Sequence, residues 1–226
     1  MLAETNLSST RRNGRPGRLF LDVALPTIWR SFIVSFDETQ VFLGCCCAQL
    51  SREHSVAKKP KKLEDLFHET LKDIYFAENK ILKTLPKMAK AAQSKDLRAA
   101  FVRHERETKG QVKRLDRVFK IIGKPARGKT CAAINGITEE GSEIMKDFRG
   151  MPALDAGLLA SAQAVEHYEI SRYGTLSTWA EELGYEEAVD LLEATLQEEK
   201  NTDKTLTEIA KSVVNVEADE GEDEDE

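Results

Sequence analysis

Four glutamates and one histidine occupy positions where the surrounding pattern calls for apolar residues, and a fifth glutamate lies beside them. Steps of four and three through residues 63–92 give Phe67, Leu71, Ile74, Glu78, Ile81, Leu85 and Met88. Every one is a core type except Glu78, at the centre. The same walk through 96–122 gives Leu97, Phe101, His104, Thr108, Gln111, Leu115, Val118 and Ile122, apolar at both ends and polar at the waist. Glu107 follows His104 by one turn on the adjoining edge. Residues 153–182 yield Leu159, Ala162, Glu166, Glu169, Tyr173, Leu176 and Ala180, with two successive carboxylates in the stripe. Residues 186–214 yield Ala188, Leu192, Thr195, Glu199, Thr202, Leu206, Ile209 and Val213, with Asp203 beside the stripe.

Four helices that each turn acidic at mid-length, once aligned, bring Glu78, Glu107, Glu166, Glu169 and Glu199 into one layer. Bare carboxylates there repel one another and lose hydration worth several kcal/mol per ion. They must be protonated, paired or bridged by cations. Protonation requires upward pKa shifts on several neighbours at once, and the stripes hold no base beyond His104. A pair of metal ions satisfies them together, and oxygen-rich ligation suits iron or manganese. The candidate ligands are therefore Glu78, His104, Glu107, Glu166, Glu169, Glu199 and Asp203, around two iron or manganese ions. A solvated face is the competing reading, because a one-residue rotation moves an acid to the rim; Glu198 and Glu199 are adjacent and either can face inward. Taken alone, a histidine such as His104 is more often a hydrogen-bonded core residue than a ligand. His167 falls beside the stripe, and Tyr75 and Tyr173 are placed to hydrogen-bond carboxylates or simply to pack.

The elements that must position these residues are helices. Charged residues make up 32% of the 226 and aromatics only 7%, a profile of long solvated helices rather than of a β-sandwich. No strand-like alternation competes over 58–216. Helix A is expected over 63–92, running through Pro86. Helix B extends from a cap at Asp96 to Ile122, with Gly123 as its stop, and helix C covers 153–182 with Gly184 as its stop. Helix D runs from Glu186 to Val214. The connection 123–152 carries a short helical piece near Glu139–Phe148. Short A–B and C–D loops around a long B–C link predict an all-α, crossover four-helix bundle.

Three parts divide the chain: 1–57, a poorly ordered extension or upstream sequence from a misassigned start; 58–216, the bundle; and 217–226, an acidic tail. The net charge of −6 resides at the ends, since 217–226 carry eight acids and no base, while 58–216 hold 27 bases and 26 acids. With no basic excess to hold a phosphate backbone, a nucleic-acid partner is not expected, despite the short Lys58–Lys62 run. Consecutive Cys45, Cys46 and Cys47 and solitary Cys131 do not make a disulfide framework, which points to a reducing, cytoplasmic setting. The most apolar stretch, 19–48, is interrupted by Asp22, Arg30, Asp37 and Glu38, so no membrane span is expected. Gly123–Thr130 fits a phosphate-loop spacing but follows a helix and contains Pro125, which removes that reading.

The segments AENKILKTLPKMAKAA, HERETKGQVKRLDRVF, QAVEHYEISRYGTLSTWAEELG and LLEATLQEEKNTDKTLTEIA resemble the bacterial YciF/YciE-like proteins of the ferritin-like superfamily, over roughly 58–215. The resemblance implies a ferritin-like bundle, self-association as a homodimer or other homo-oligomer, and a link to bacterial stress. By position, Glu78, Glu107 and Glu199 answer that superfamily's acids on the first, second and fourth helices, and Glu166 with Glu169 its third-helix pair. Two departures stand out. Helix B reads His104-x-x-Glu107, the reverse of Glu-x-x-His, and helix D has Thr202 and Asp203 where a second histidine belongs. The expected function is a carboxylate-rich dinuclear metal protein with ferroxidase or peroxide-consuming activity. The alternative is a metal-free scaffold acting through its surfaces.

Overall fold

The computed structural model describes residues 60–219. The 1–57 extension and residues 220–226 of the acidic tail lie outside the described residues. Helix α1 spans Leu63–Ala91, α2 Lys95–Ile121, α3 Ala132–Asp147, α4 Leu154–Glu182, α5 Glu186–Ile209 and α6 Asn215–Asp219. The architecture is the all-α crossover bundle expected. α1 packs on α2 and α4, and α5 packs on α2 and α4, while α3 lies against α4 and α1. Among the described residues no helix is long and apolar enough to cross a membrane.

Local chemistry explains the boundaries. Asp65 accepts a hydrogen bond from the Lys62 amide at 2.8 Å, closing the start of α1. At α2 the cap is Ser94 rather than Asp96: its Oγ accepts from the Leu97 amide at 3.4 Å, and Asp96 sits in the acidic first turn instead. Gly123 and Gly184 end their helices at φ of 65° and 75°, a conformation that side chains with a Cβ disfavour.

Two departures from expectation have physical causes. The crossover helix is 16 residues long and starts at Ala132, well before Glu139. Its buried set, Ile134, Thr138 and Gly141, is short and only partly apolar, so periodicity detects little of it. α3 approaches α4 closely because Gly157 has no side chain; a Cβ there would lie 2.5 Å from Ile144 Cγ2. The second departure is at the end of α5, where Ala210–Val214 forms one turn of π-helix. The extra residue in that turn rotates the stripe, so Ala210 and Val214 are buried in place of Ile209 and Val213.

Most of the remaining apolar positions in the four stripes form the core. Phe67, Leu71, Ile74, Phe101, Leu115, Tyr173, Leu176 and Leu192 are almost entirely removed from water. A buried Leu, Ile or Phe contributes about 1.5–3 kcal/mol. These apolar layers lie above and below a polar waist, which is where function must be sought.

Candidate metal centre

Each long helix sends its mid-length acid or imidazole inward. α1 provides Glu78, α2 His104, α4 Glu166 and Glu169, and α5 Glu199, all at most 3% exposed. The three-residue spacing on α4 puts its two carboxylates on one face. One ligand atom from each of His104, Glu166, Glu169 and Glu199 lies within 4.8 Å of the others. His104 Nε2 is 3.2 Å from Glu166 Oε1. Glu78 borders this group, and the Tyr173 hydroxyl donates a hydrogen bond to its Oε1.

Two sequence candidates stand apart. Glu107 is about one-third exposed, with Oε2 3.8 Å from His104 Nδ1. Asp203 accepts from Gln163 Nε2 at 2.9 Å and faces the exposed His167, whose Nε2 is 3.4 Å away. The structure resolves the Glu198/Glu199 ambiguity in the same way: Glu199 faces in, while Glu198 pairs with Arg114 and accepts from Gln111 Nε2. Of the two tyrosines, Tyr173 reaches the carboxylate layer, whereas Tyr75 donates to Asp116 at 3.0 Å.

Among the described residues, no lysine or arginine neutralises the layer. Arg114 reaches towards the bundle waist, but it is spent on Glu198 and on Thr195 Oγ1. Burial therefore dominates the electrostatics. It pushes Glu78 up to about 7, and it raises Glu166 above, and Glu169 and Glu199 well above, the ordinary carboxylate range. The neighbouring carboxylates add to the rise on Glu169 and Glu199. Burial alone would lower His104, but the Glu166, Glu107 and Glu78 carboxylates outweigh it and leave the imidazole above its usual value. The Tyr173 hydroxyl is raised well above its ordinary value by burial and so remains a donor.

The donor atoms fit a metal. Both ring nitrogens of His104, both oxygens of Glu169 and Glu199, and Oε2 of Glu78 and Glu166 are buried with no hydrogen-bond partner. Buried polar atoms left unpaired in such number are rare in folded proteins, and each costs about 1–3 kcal/mol. One imidazole with four carboxylates is a donor set for iron or manganese. Two divalent ions would balance the formal charge of the four ionised carboxylates without any protonation.

Sequence also missed a structural carboxylate at the end of the bundle, away from this layer. Asp155, in the first turn of α4, accepts from the Gln93 amide at 2.9 Å and from the Ser94 amide, joining α4 to the α1–α2 turn. Its partners lie some sixty residues away, so no local pattern marks it.

Comparison with known proteins agrees with this fold. The family model described as a domain of unknown function, DUF892, matches residues 62–219. Protein YciF of Escherichia coli K12 is 43% identical over 159 residues, which is 70% of this chain and 96% of that protein. The crystal structure of the E. coli stress protein YciF superposes with a TM-score of 0.66 at 43% identity, covering 69% of this chain and 99% of that one. YcfI of Rhodopseudomonas palustris, described as a candidate structural protein, gives 0.64 at 44% identity, over 67% of this chain and 96% of its own. A Xanthomonas campestris protein at 19% identity shares the fold, with a TM-score of 0.54. The bundle, its crossover helix and these matches together place the chain in the YciF-like DUF892 family.

Proposed function

We propose that this protein is a carboxylate-rich dinuclear metal-binding bundle that serves bacterial stress physiology, a role inferred from its likeness to the E. coli stress protein YciF. The observation that carries the reading is the convergence of His104, Glu166, Glu169 and Glu199 from three helices, with their donor atoms buried and unpaired. Glu78 joins from the fourth helix with Oε2 free, because the Tyr173 hydroxyl occupies Oε1 and fixes the carboxylate's orientation. Glu166 and Glu169 would hold ions from one face of α4, together with Glu199 from α5, and His104 presents Nε2 beside Glu166. Bound iron would supply one-electron chemistry towards dioxygen or peroxide, so ferroxidase or peroxide-consuming activity is the reaction class to assay. The apolar layers around the site exclude bulk water and keep its electrostatics strong. A homodimer is part of the same proposal, carried over from the family resemblance and tested by light scattering.

The test is thermal. A ligand that binds only the folded state at 100 times its Kd adds about 2.7 kcal/mol, some 5–10 °C in Tm for a domain of this size. Anaerobic Fe(II) or Mn(II) is expected to give a shift of that order. Glu169→Gln should abolish the shift while itself raising the Tm of the chelated protein, since it relieves repulsion among buried carboxylates. No shift in the wild type with either metal would favour the metal-free scaffold.

A further inference from the structure

A site this deeply buried needs a way in, and the structure contains two adjoining cavities on one side of it. The inner one is narrow, about 20 Å³, mainly apolar, and reaches His104 and Glu166. The outer one is roomier, about 160 Å³, lies between α2 and α5 and carries Glu107, Glu198 and Arg103 on its wall. Ala100, Thr202 and Leu206 line both cavities, so these three side chains are the partition between them.

His104 stands at the inner side of this partition. Its Nε2 lies beside Glu166, while its Nδ1 lies 3.8 Å from Glu107 Oε2. That nitrogen is buried and has no hydrogen-bond partner. Glu107 is the reverse of the buried acids: partly exposed, facing the outer cavity, and within reach of the imidazole. Glu198, also on that wall, is already engaged by Arg114 and Gln111. Glu107 is the wall carboxylate that bridges the outer cavity and the buried group.

We propose that the α2–α5 cavity is the entry port for divalent cations, with Glu107 as the capturing carboxylate that hands the ion past Ala100 and Thr202 to His104 and Glu166. The proposal rests on the metal-binding reading and adds to it a route and a residue. In this role Glu107 is a transient ligand. The reversed order His104-x-x-Glu107 then has a purpose: it sets the carboxylate one turn from the imidazole, on its solvent side. A negative charge at the mouth of a cleft raises the local cation concentration and the on-rate by about ten- to a thousandfold. Arg103 on the same wall offsets part of that field, which favours the lower end.

The experiment follows Co(II) uptake by the full-length apoprotein in a stopped-flow spectrometer, reading the visible bands of the bound ion. Elemental analysis of the end point gives the number of ions held. Glu107→Gln is expected to slow uptake about tenfold and to flatten its dependence on ionic strength, with the final number unchanged. Ala100→Leu, which fills the partition without altering charge, should slow uptake while preserving the salt dependence. An unchanged rate in Glu107→Gln would overturn the port. Loss of bound ions in that variant would overturn the transient role and make Glu107 a resident ligand. A wild type that takes up no Co(II), Fe(II) or Mn(II) would overturn the metal reading itself, an outcome separate from both.

Discussion

At the scale of single residues, the defining fact is that buried acids outnumber the bases able to meet them. Glu78, Glu166, Glu169 and Glu199 all hold protons more tightly in the folded chain than in the unfolded one, chiefly because burial disfavours their charged forms. His104 is shifted upward too, by its carboxylate neighbours. Where the folded state binds more protons than the unfolded state, stability falls as pH rises. For Glu78 the interval runs from its ordinary value of 4.5 to about 7, and its loss is on the order of 3 kcal/mol. The other groups act in the same direction. Urea denaturation of the chelated protein at pH 5 and pH 8 is expected to show the lower midpoint at pH 8. Saturating metal should remove most of that difference, since an ion takes the place of the protons. A midpoint that rises with pH in the chelated protein would contradict the burial of these carboxylates. The stripe pattern made Glu78, His104, Glu166, Glu169 and Glu199 legible in the sequence, because in each long helix an inward-facing acid or imidazole interrupts an otherwise apolar period. Glu107 and Asp203 lie one helical position off the stripe, and their placement depends on what neighbouring side chains offer: an imidazole for the first, Gln163 and His167 for the second.

At the scale of elements, periodicity located α1, α2, α4 and the main body of α5 to within a residue or two. α4 is covered by α1, α3 and α5, so it buries Leu158 and Ser177 beside the stripe read from sequence. Periodicity failed elsewhere. The true extent of α3 and the π-turn at Ala210–Val214 depend on packing that no local window contains. Asp155 belongs to the same class. Its carboxylate holds two backbone amides of the α1–α2 turn and so fixes where the second hairpin docks on the first. Asp155→Ala leaves those amides unpaired and should cost about 2–3 kcal/mol, against about 1 kcal/mol for losing the helix cap in Ser94→Ala. Chemical denaturation of the two variants measures the difference. Equal costs would show that the Asp155 bridge is merely local.

At the scale of the whole molecule, the carboxylate layer is where all four long helices meet, and it is also the least satisfied part of the core. Apolar layers on either side hold the helices in register, so the carboxylates and the imidazole converge because the fold forces them together. A cation bound there would tie four helices through one point and would couple metal affinity to global stability rather than to a single loop. The two-hairpin topology accounts for the composition of the site as well: α4 contributes two carboxylates and α1, α2 and α5 one ligand each. The measurement that tests the dinuclear centre most directly is elemental mass spectrometry on the full-length protein, expressed with iron and manganese and never exposed to chelator. Close to two ions per chain are expected, lost together in Glu166→Ala/Glu169→Ala while the helical circular dichroism is retained. Below about a tenth of an ion per chain in the wild type, with no uptake on adding Fe(II) or Mn(II), would contradict the centre and leave a bundle whose buried carboxylates are held by protons alone.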